Sequence, residues 1–367
     1  MKVVTPTRPV VDSVAQASSQ SLSQASSQSA SQSTFSHQSA LIRMASAAWM
    51  SRSVYVAAKL RIADFLKADA KSYAELATLT ETEPQALYRL LRALASVGLF
   101  SETEPGLFML TQTGYFLRSD ISESLHALTI MYGEDDYKAA GCLLHSLKTG
   151  ESAFEKLYDM PVFDYFQQNP DAAKTFDAAM TSYSSVAIPA ILEAYDFSDI
   201  NVLVDVAGGV GSLLGAVLKQ NSHMKGILYE VPPVIEKAQA MVKSSEVADR
   251  MQLVAGSFFE SVPFGGDACL LKHIIHDWSD EQSLTILGEC RKALPADGKL
   301  LLIEHVILPG DEPCFGKLFD IGMLLWCKGG KERTESEYRD LLAQAGFQMS
   351  KVIQTGTPLI VIEAVPV

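Results

Sequence analysis

The sequence predicts an α/β chain in which a doubly wound, parallel sheet fills the second half and a mostly helical first half carries a winged-helix pattern. Three observations lead there. After Asn201 short apolar runs alternate with helical segments. The first run feeds a glycine-rich turn, Gly208-Gly209-Val210-Gly211. Earlier in the chain, a helix-turn-helix precedes two short strands around Pro105-Gly106. The 367 residues suffice for two domains with sizeable cores.

Composition narrows the function. The chain is 48% hydrophobic and 20% charged, a soluble globular profile. No run reaches the roughly eighteen apolar residues of a membrane span. With 30 Lys+Arg against 43 Asp+Glu, the net charge of −13 repels phosphate backbones and anionic lipid, so neither nucleic acid nor membrane is an expected partner. Five widely spaced cysteines lack C-x-x-C or Cys/His ligand spacing. Neither a disulfide framework nor a metal site is expected, and the setting is reducing and cytoplasmic.

Residues 1–40 form a Ser/Gln-rich tail that cannot bury enough apolar surface to order itself. It lacks a secretory apolar core, and Arg8 is its one arginine, too few for a transit peptide. From Leu41 the stretch "ALIRMASAAWMSRSVYVAAKLRIADFLKA" is apolar on most faces, as a helix shared with a second subunit would be. The winged-helix pattern follows, within a 41–120 domain. Its second helix offers only Arg89 and Arg92, amid Glu75, Glu81, Glu83, Glu102 and Glu104. A dimerisation or covering module therefore fits better than a DNA reader. Residues 121–195 read as a helical linker and covering segment, where Phe176 and Met180 share a face at i, i+4; on pattern alone such a pair is ordinary core.

Residues 196–367 carry the sheet, with strands at "NVLVDVA", "KGILYEV", "MQLVAGS", "DACLLKHII" and "GKLLLIEHVI", then a closing pair around "MSKVIQTG" and "TPLIVIEAVPV". Ligands of such sheets bind beyond the carboxyl ends of the strands. There Gly208, Gly209 and Gly211 let backbone approach a ligand, Asp205 stands three residues ahead of them, and Glu230 ends the next strand. An acid nineteen residues past Gly211 suits both hydroxyls of a ribose. The G-G-x-G spacing departs from dinucleotide binders, so S-adenosylmethionine fits better than NAD.

Two strands deliver polar groups to the same edge: "CLLKHII" ends at His276 and "KLLLIE" ends at Glu304. Glu332 follows in the Gly-rich loop "KGGKERTESE". Ser279-x-x-Gln282 and Thr334-x-x-Glu337 read as capping boxes that start the next helices. A histidine flanked by two carboxylates is a general-base arrangement, in which one carboxylate holds the tautomer and the other ring nitrogen takes a proton. An unperturbed pKa of about 6.5 would leave that imidazole mostly neutral near pH 7. His273, just upstream, is given no role.

On "DVAGGVG", "KHIIHDWSD", "LLLIEHVI", "GGKERTESEY" and "FDYF…FDAAM", the chain from about Leu41 onward resembles the plant- and bacterial-type S-adenosylmethionine-dependent O-methyltransferases, which include caffeic acid, hydroxyindole and polyketide enzymes. The resemblance implies a Rossmann-like methyltransferase domain behind a winged-helix dimerisation domain, and a homodimer. By position it implies His276 as base with Glu304 and Glu332 flanking it. It implies Asp205, the three glycines, Glu230, Ser257, Phe258 and Lys272 toward the cofactor, and Phe176, Met180, Met323 and Cys327 toward the acceptor. Two departures stand out. Gly256-Ser257-Phe258-Phe259 replaces the family's G-D-M-F, which weakens the hydrogen bonding available from Ser257, and Cys327 replaces an Asn, which argues against a lignin-type acceptor. The expected acceptor is a phenolic hydroxyl on a small specialised metabolite. The alternatives are a relative that binds the cofactor for hydroxylation or decarboxylation, and a winged-helix regulator.

Overall fold

A computed structural model describes residues 36–367. The Ser/Gln-rich tail expected over 1–40 lies, up to residue 35, outside the described residues. Residues 36–45 are helical, so helix is already present five residues before the expected Leu41. The helix Ala47–Lys59 follows. By compactness the chain divides at Val56/Ala57, and every feature of the candidate site lies in the 57–367 unit.

The winged-helix pattern is present. Helices Tyr73–Thr80 and Pro84–Ala95 precede an antiparallel sheet of β1 (Lys71–Ser72), β2 (Phe100–Glu104) and β3 (Leu107–Leu110), ordered β1-β3-β2. Gly106 makes the β2–β3 turn with φ +82, a conformation that favours glycine. Leu87, Leu91 and Leu94 recur at helical spacing and are the buried face of the second helix.

The large sheet contains β4 (Val202–Val206), β5 (Lys225–Glu230), β6 (Met251–Ala255), β7 (Ala268–Lys272), β8 (Lys299–Ile307), β9 (Arg333–Thr334), β10 (Phe347–Gln354) and β11 (Leu359–Pro366). The order is β10-β11-β8-β7-β4-β5-β6, with the two-residue β9 beside the end of β8. Strands β4 to β8 run parallel, and β10 and β11 add the antiparallel pair expected at the end of the chain. Strand direction explains the near-continuous apolar runs, because both faces are covered. Leu203, Leu270, Leu301 and Ile303 enter one core, while Val204, Leu271, Leu300 and Leu302 enter the other. Sequence order reverses between β4 and β7, which makes the space beyond their carboxyl ends the switch point of the fold.

Two expected strand ends move. β7 stops at Lys272 rather than at His276, because His273 turns into the left-handed region at φ +55 and a 3-10 turn over Ile275–Asp277 follows. Glu304 does not end β8, which runs on to Ile307. Among the described residues no helix is long and apolar enough to cross a membrane.

Candidate active site

At the switch point the glycine turn follows β4. Gly208 packs so tightly that a Cβ there would meet Asp205 Oδ2 at 2.3 Å and Leu228 Cδ1 at 2.7 Å. Gly211, at φ +79, starts the helix Ser212–Gln220. Glu230, at the end of β5, accepts the Gly209 N–H through Oε2 at 3.2 Å and the Val231 N–H through Oε1 at 2.8 Å, tying the carboxylate to the turn. Asp205 is 2% exposed, and its Oδ2 has no protein partner. Burial, aided by the charge of Glu230 and opposed by Lys272, pushes its carboxyl up to about 7. Burial also raises Glu230 and lowers Lys272. An orphaned carboxylate oxygen and a second half-hidden carboxylate around a glycine cradle form an anionic pocket. That chemistry fits S-adenosylmethionine, which carries positive charge and ribose hydroxyls.

Ser257 lies in the turn after β6, where its hydroxyl accepts the Phe259 N–H at 3.3 Å, so its polarity is partly spent locally. The Phe258 ring stands 5.9 Å from Trp278, edge to face. Trp278 in turn stacks at 6.3 Å on Phe163 of the covering segment. Phe176 belongs to the same aromatic group, stacked at 4.7 Å on Phe166. It and Met180 lie in the helix Pro170–Ala194. Met323 is buried in the helix Phe315–Trp326. The Cys327 thiol points its Sγ at Asp277 Oδ1 at 3.6 Å, and burial together with that acid holds the thiol well above its ordinary pKa.

Beyond β7, His276 is 5% exposed in its side chain and both expected carboxylates reach it. Glu332 Oε1 lies 2.7 Å from Nδ1 and Glu304 Oε2 lies 3.6 Å from the same nitrogen. Both acids address the same nitrogen. Nε2 faces Asp277 Oδ1 at 3.5 Å, an acid that the sequence reading left without a role. The supports are specific. Glu304 Oε1 accepts the N–H groups of Ile274 and Ile275 at 3.0 and 2.9 Å, and Asp320 accepts the Glu332 N–H at 2.8 Å. The Lys331 N–H donates to His276 O at 2.8 Å. Both expected capping boxes are formed, at Ser279/Gln282 and Thr334/Glu337.

The protonation state departs from expectation. Burial alone would lower the His276 pKa, but Glu304, Asp277 and the bonded Glu332 outweigh it and push the imidazole up to about 10. The flanking acids thus favour the charged ring more than an unperturbed value would suggest. Burial raises Glu304 against the pull of His276.

Other residues at the site carried no signal that the sequence reading used. Arg333 is fully buried and donates to Ile275 O at 2.9 Å and Trp278 O at 3.0 Å, bracketing the turn that holds His276. Its Nη2 also meets Asp280 Oδ1 at 2.8 Å. Tyr183, one further step along the Phe176/Met180 face, lies with its hydroxyl 3.1 Å from His305 Nε2. His305 Nδ1 lies 3.1 Å from the carbonyl of Pro358, which places the ring proton on Nδ1 and makes Tyr183 the donor to Nε2. His273, set aside in the sequence, stands with its ring centroid 5.0 Å from that of His276. With His276 and Glu304 it forms a trio whose nitrogen and oxygen atoms lie within 4.8 Å of one another.

Comparison with known proteins accounts for most of the chain. The O-methyltransferase domain family matches residues 142–348, and the O-methyltransferase dimerisation domain matches residues 42–120. A phenazine O-methyltransferase, PhzM, from Lysobacter antibioticus is 40% identical over 90% of this chain and 96% of its own. A 3-amino-4-hydroxybenzoate 4-O-methyltransferase from Streptomyces cremeus is 38% identical over 85% and 86%. The solved structure of NcsB1, an O-methyltransferase from neocarzinostatin biosynthesis in complex with S-adenosylmethionine and 2-hydroxy-5-methyl naphthoic acid, superposes with a TM-score of 0.74 at 30% identity, over 87% of this chain and 96% of that one. Relatives at 30–33% identity include enzymes named for N-methylation and for hydroxylation.

Proposed function

The chain belongs to the S-adenosylmethionine-dependent O-methyltransferase family of specialised metabolism, and on that premise we propose that it methylates a phenolic hydroxyl of a planar aromatic acceptor, with His276 receiving the proton. The observation that supports this most is the buried His276–Glu332–Glu304 cluster at the switch point. A histidine tied to two buried acids beside a cofactor pocket has an evident use in proton transfer. The same cluster argues against a relative that binds the cofactor for other chemistry. The aromatic group of Phe163, Phe166, Phe176 and Trp278 supplies flat apolar surface suited to a planar ring.

The cofactor supplies a sulfonium methyl group. Asp205, Glu230 and the glycine turn would hold its charged and ribose portions, Lys272, Ser257 and Phe258 would border it, and Met180, Met323 and Cys327 would border the acceptor. The remaining chemistry belongs to the protein. A free phenol has a pKa of about 10 and is a poor nucleophile until its proton leaves. The acids around His276 raise its imidazole pKa toward that value, so transfer from hydroxyl to ring is less uphill than it would be to an unperturbed imidazole. Neutral imidazole facing phenol and imidazolium facing phenolate differ only in where one proton sits. Glu332 and Glu304 stabilise the second arrangement, and the dry, aromatic surroundings hold oxygen and methyl in attack geometry.

A pH profile tests the proton's place. With an acceptor of pKa about 10, kcat/KM is expected to rise about tenfold per pH unit and to bend between about pH 7 and 10, since a positively charged cofactor lowers the His276 pKa from its resting value. An apparent midpoint at or below about 6.5 would mean an unperturbed imidazole and would remove this reading. At the cofactor, Glu230→Ala is expected to weaken S-adenosylmethionine binding by about 1.5–3 kcal/mol, through the lost charged hydrogen bond and the released Gly209 N–H. Unchanged calorimetric affinity takes Glu230 out of the site.

A homodimer is the proposed assembly. Leu41, Ile42, Met44 and Trp49 are 67–78% exposed on the single chain, within or next to the matched dimerisation domain. Such a row of large apolar side chains suits a second copy. Light scattering at micromolar concentration should give twice the chain mass; a monomeric mass would refute the assembly.

A further inference from the structure

We propose that His273, His276 and Glu304 form a binding site for one zinc ion per chain, and that filling it stops methyl transfer. One ligand atom from each of the three lies within 4.8 Å of the others. Glu304 Oε2 stands 3.6 Å from His276 Nδ1 and 4.0 Å from His273 Nδ1. Ligand atoms of a tetrahedral zinc, with bonds of about 2.0–2.2 Å, are about 3.3–3.6 Å apart, so the cluster is already close to the required spacing. Two imidazoles and one carboxylate with a fourth position open is a donor set that zinc favours over magnesium or calcium.

The cluster also holds unsatisfied buried atoms. Both ring nitrogens of His273 and Glu304 Oε2 are buried without a hydrogen-bond partner, as is Glu332 Oε2 beside them. Buried polar atoms in a native protein are nearly always paired, so His273 Nδ1 and Glu304 Oε2, unpartnered and 4.0 Å apart, invite a ligand between them. His273 also holds a left-handed backbone, φ +55, that a non-glycine residue adopts at a cost. That turn is what aims its ring at Glu304. Glu304 is prepared for ligation as well, because the N–H groups of Ile274 and Ile275 fix Oε1 and leave Oε2 to face the histidines.

Bound zinc would take the His276 lone pair at Nδ1, replace the proton shared with Glu332, and pin the ring. It would also put two positive charges where the base must gain a third, beside a cationic cofactor. The inhibition, unlike the binding, rests on His276 being the base.

The test uses the full-length protein after chelator treatment. Co²⁺ is titrated while visible absorption is recorded, and Zn²⁺ is titrated against a chromophoric chelator. His273→Gly and His273→Asn both tolerate φ +55, so they remove a ligand without straining the turn. The expected result is one ion per wild-type chain with tetrahedral-type Co²⁺ absorption, binding at least tenfold weaker in either variant, and methyl transfer blocked by equimolar Zn²⁺ in wild type only. Without metal, both variants should turn over like wild type. Equal Zn²⁺ binding in wild type and variants, or no such Co²⁺ absorption, overturns the site and leaves a bridging water as the occupant. His273-dependent binding without inhibition overturns the second half of the proposal. If His276→Asn loses Zn²⁺ yet keeps normal turnover, the metal site stands and the reading of His276 as base falls.

Discussion

Replacing His276 by alanine is expected to lower turnover about 10²–10⁴-fold, the usual worth of a positioned base. The size follows from the surroundings. The ring is the basic group that Glu332 and Glu304 both address, and the neighbouring imidazole of His273, 5.0 Å away between centroids, is a poor substitute because burial holds its pKa well below the ordinary value. His305 is committed to Tyr183 and Pro358, and burial holds its pKa below the ordinary value. His276→Asn refines the experiment, because its amide can place an N–H near Nδ1 for Glu332 while offering no base at Nε2. Both variants should lose turnover to a similar extent and bind S-adenosylmethionine nearly as wild type does. Near-normal turnover of either on a weakly acidic phenol would leave catalysis to proximity alone.

The same cluster gives a readout that needs no substrate. The folded His276 pKa, about 10, lies above the unfolded value of about 6.5. The native state thus binds the proton more tightly. Its stabilising contribution is complete below about pH 6.5 and is lost as pH rises toward 10. Wild-type protein without cofactor should lose thermal stability across that interval, and His276→Asn should lose less.

The fold was largely legible because its causes are local. Apolar runs of strand length, glycine at the β4 turn and the Ser279 and Thr334 capping boxes each carry their own physical signature, and each formed where the pattern placed it. The strand ends were less legible. "CLLKHII" remains apolar through Ile275, and only a tertiary demand, Glu304 reaching the Ile274 and Ile275 N–H groups, folds His273 out of the strand. The site was legible as a set of residue types but not as an electrostatic object. His276, Glu304 and Glu332 stand out as polar groups at apolar boundaries. Nothing in their spacing says that both acids would choose Nδ1, that Asp277 would turn back toward Nε2, or that together they would raise the ring's pKa. Tyr183 was available at i+7 from Phe176 on the same helix face, and a longer helical projection would have found it. Arg333 had no such signal, since a lone arginine beside a capping threonine reads as surface.

That arginine carries the other large expected effect. Arg333→Met should destabilise the protein by about 1.5–3 kcal/mol, the worth of buried hydrogen bonds from a charged donor. Asp280 is not where the loss arises, because its side chain is 55% exposed and water can replace the guanidinium there. The loss arises at Ile275 O and Trp278 O, which lose their short bonds to the guanidinium and keep only longer ones, from Ser283 Oγ at 3.4 Å to each and from the Trp278 N–H at 3.4 Å to Ile275 O. Those carbonyls flank His276, so the turn that presents the imidazole should loosen with them. Turnover is expected to fall at least tenfold at a temperature where near-ultraviolet dichroism shows the variant folded, while cofactor affinity changes little. Arg333→Lys should recover only part of both losses, since one ammonium cannot reproduce a fork that reaches two carbonyls and a carboxylate at once. A denaturation midpoint and a turnover both close to wild type would show that the Lys331–His276 and Glu304 backbone contacts hold the turn unaided, and that the buried guanidinium is dispensable to it.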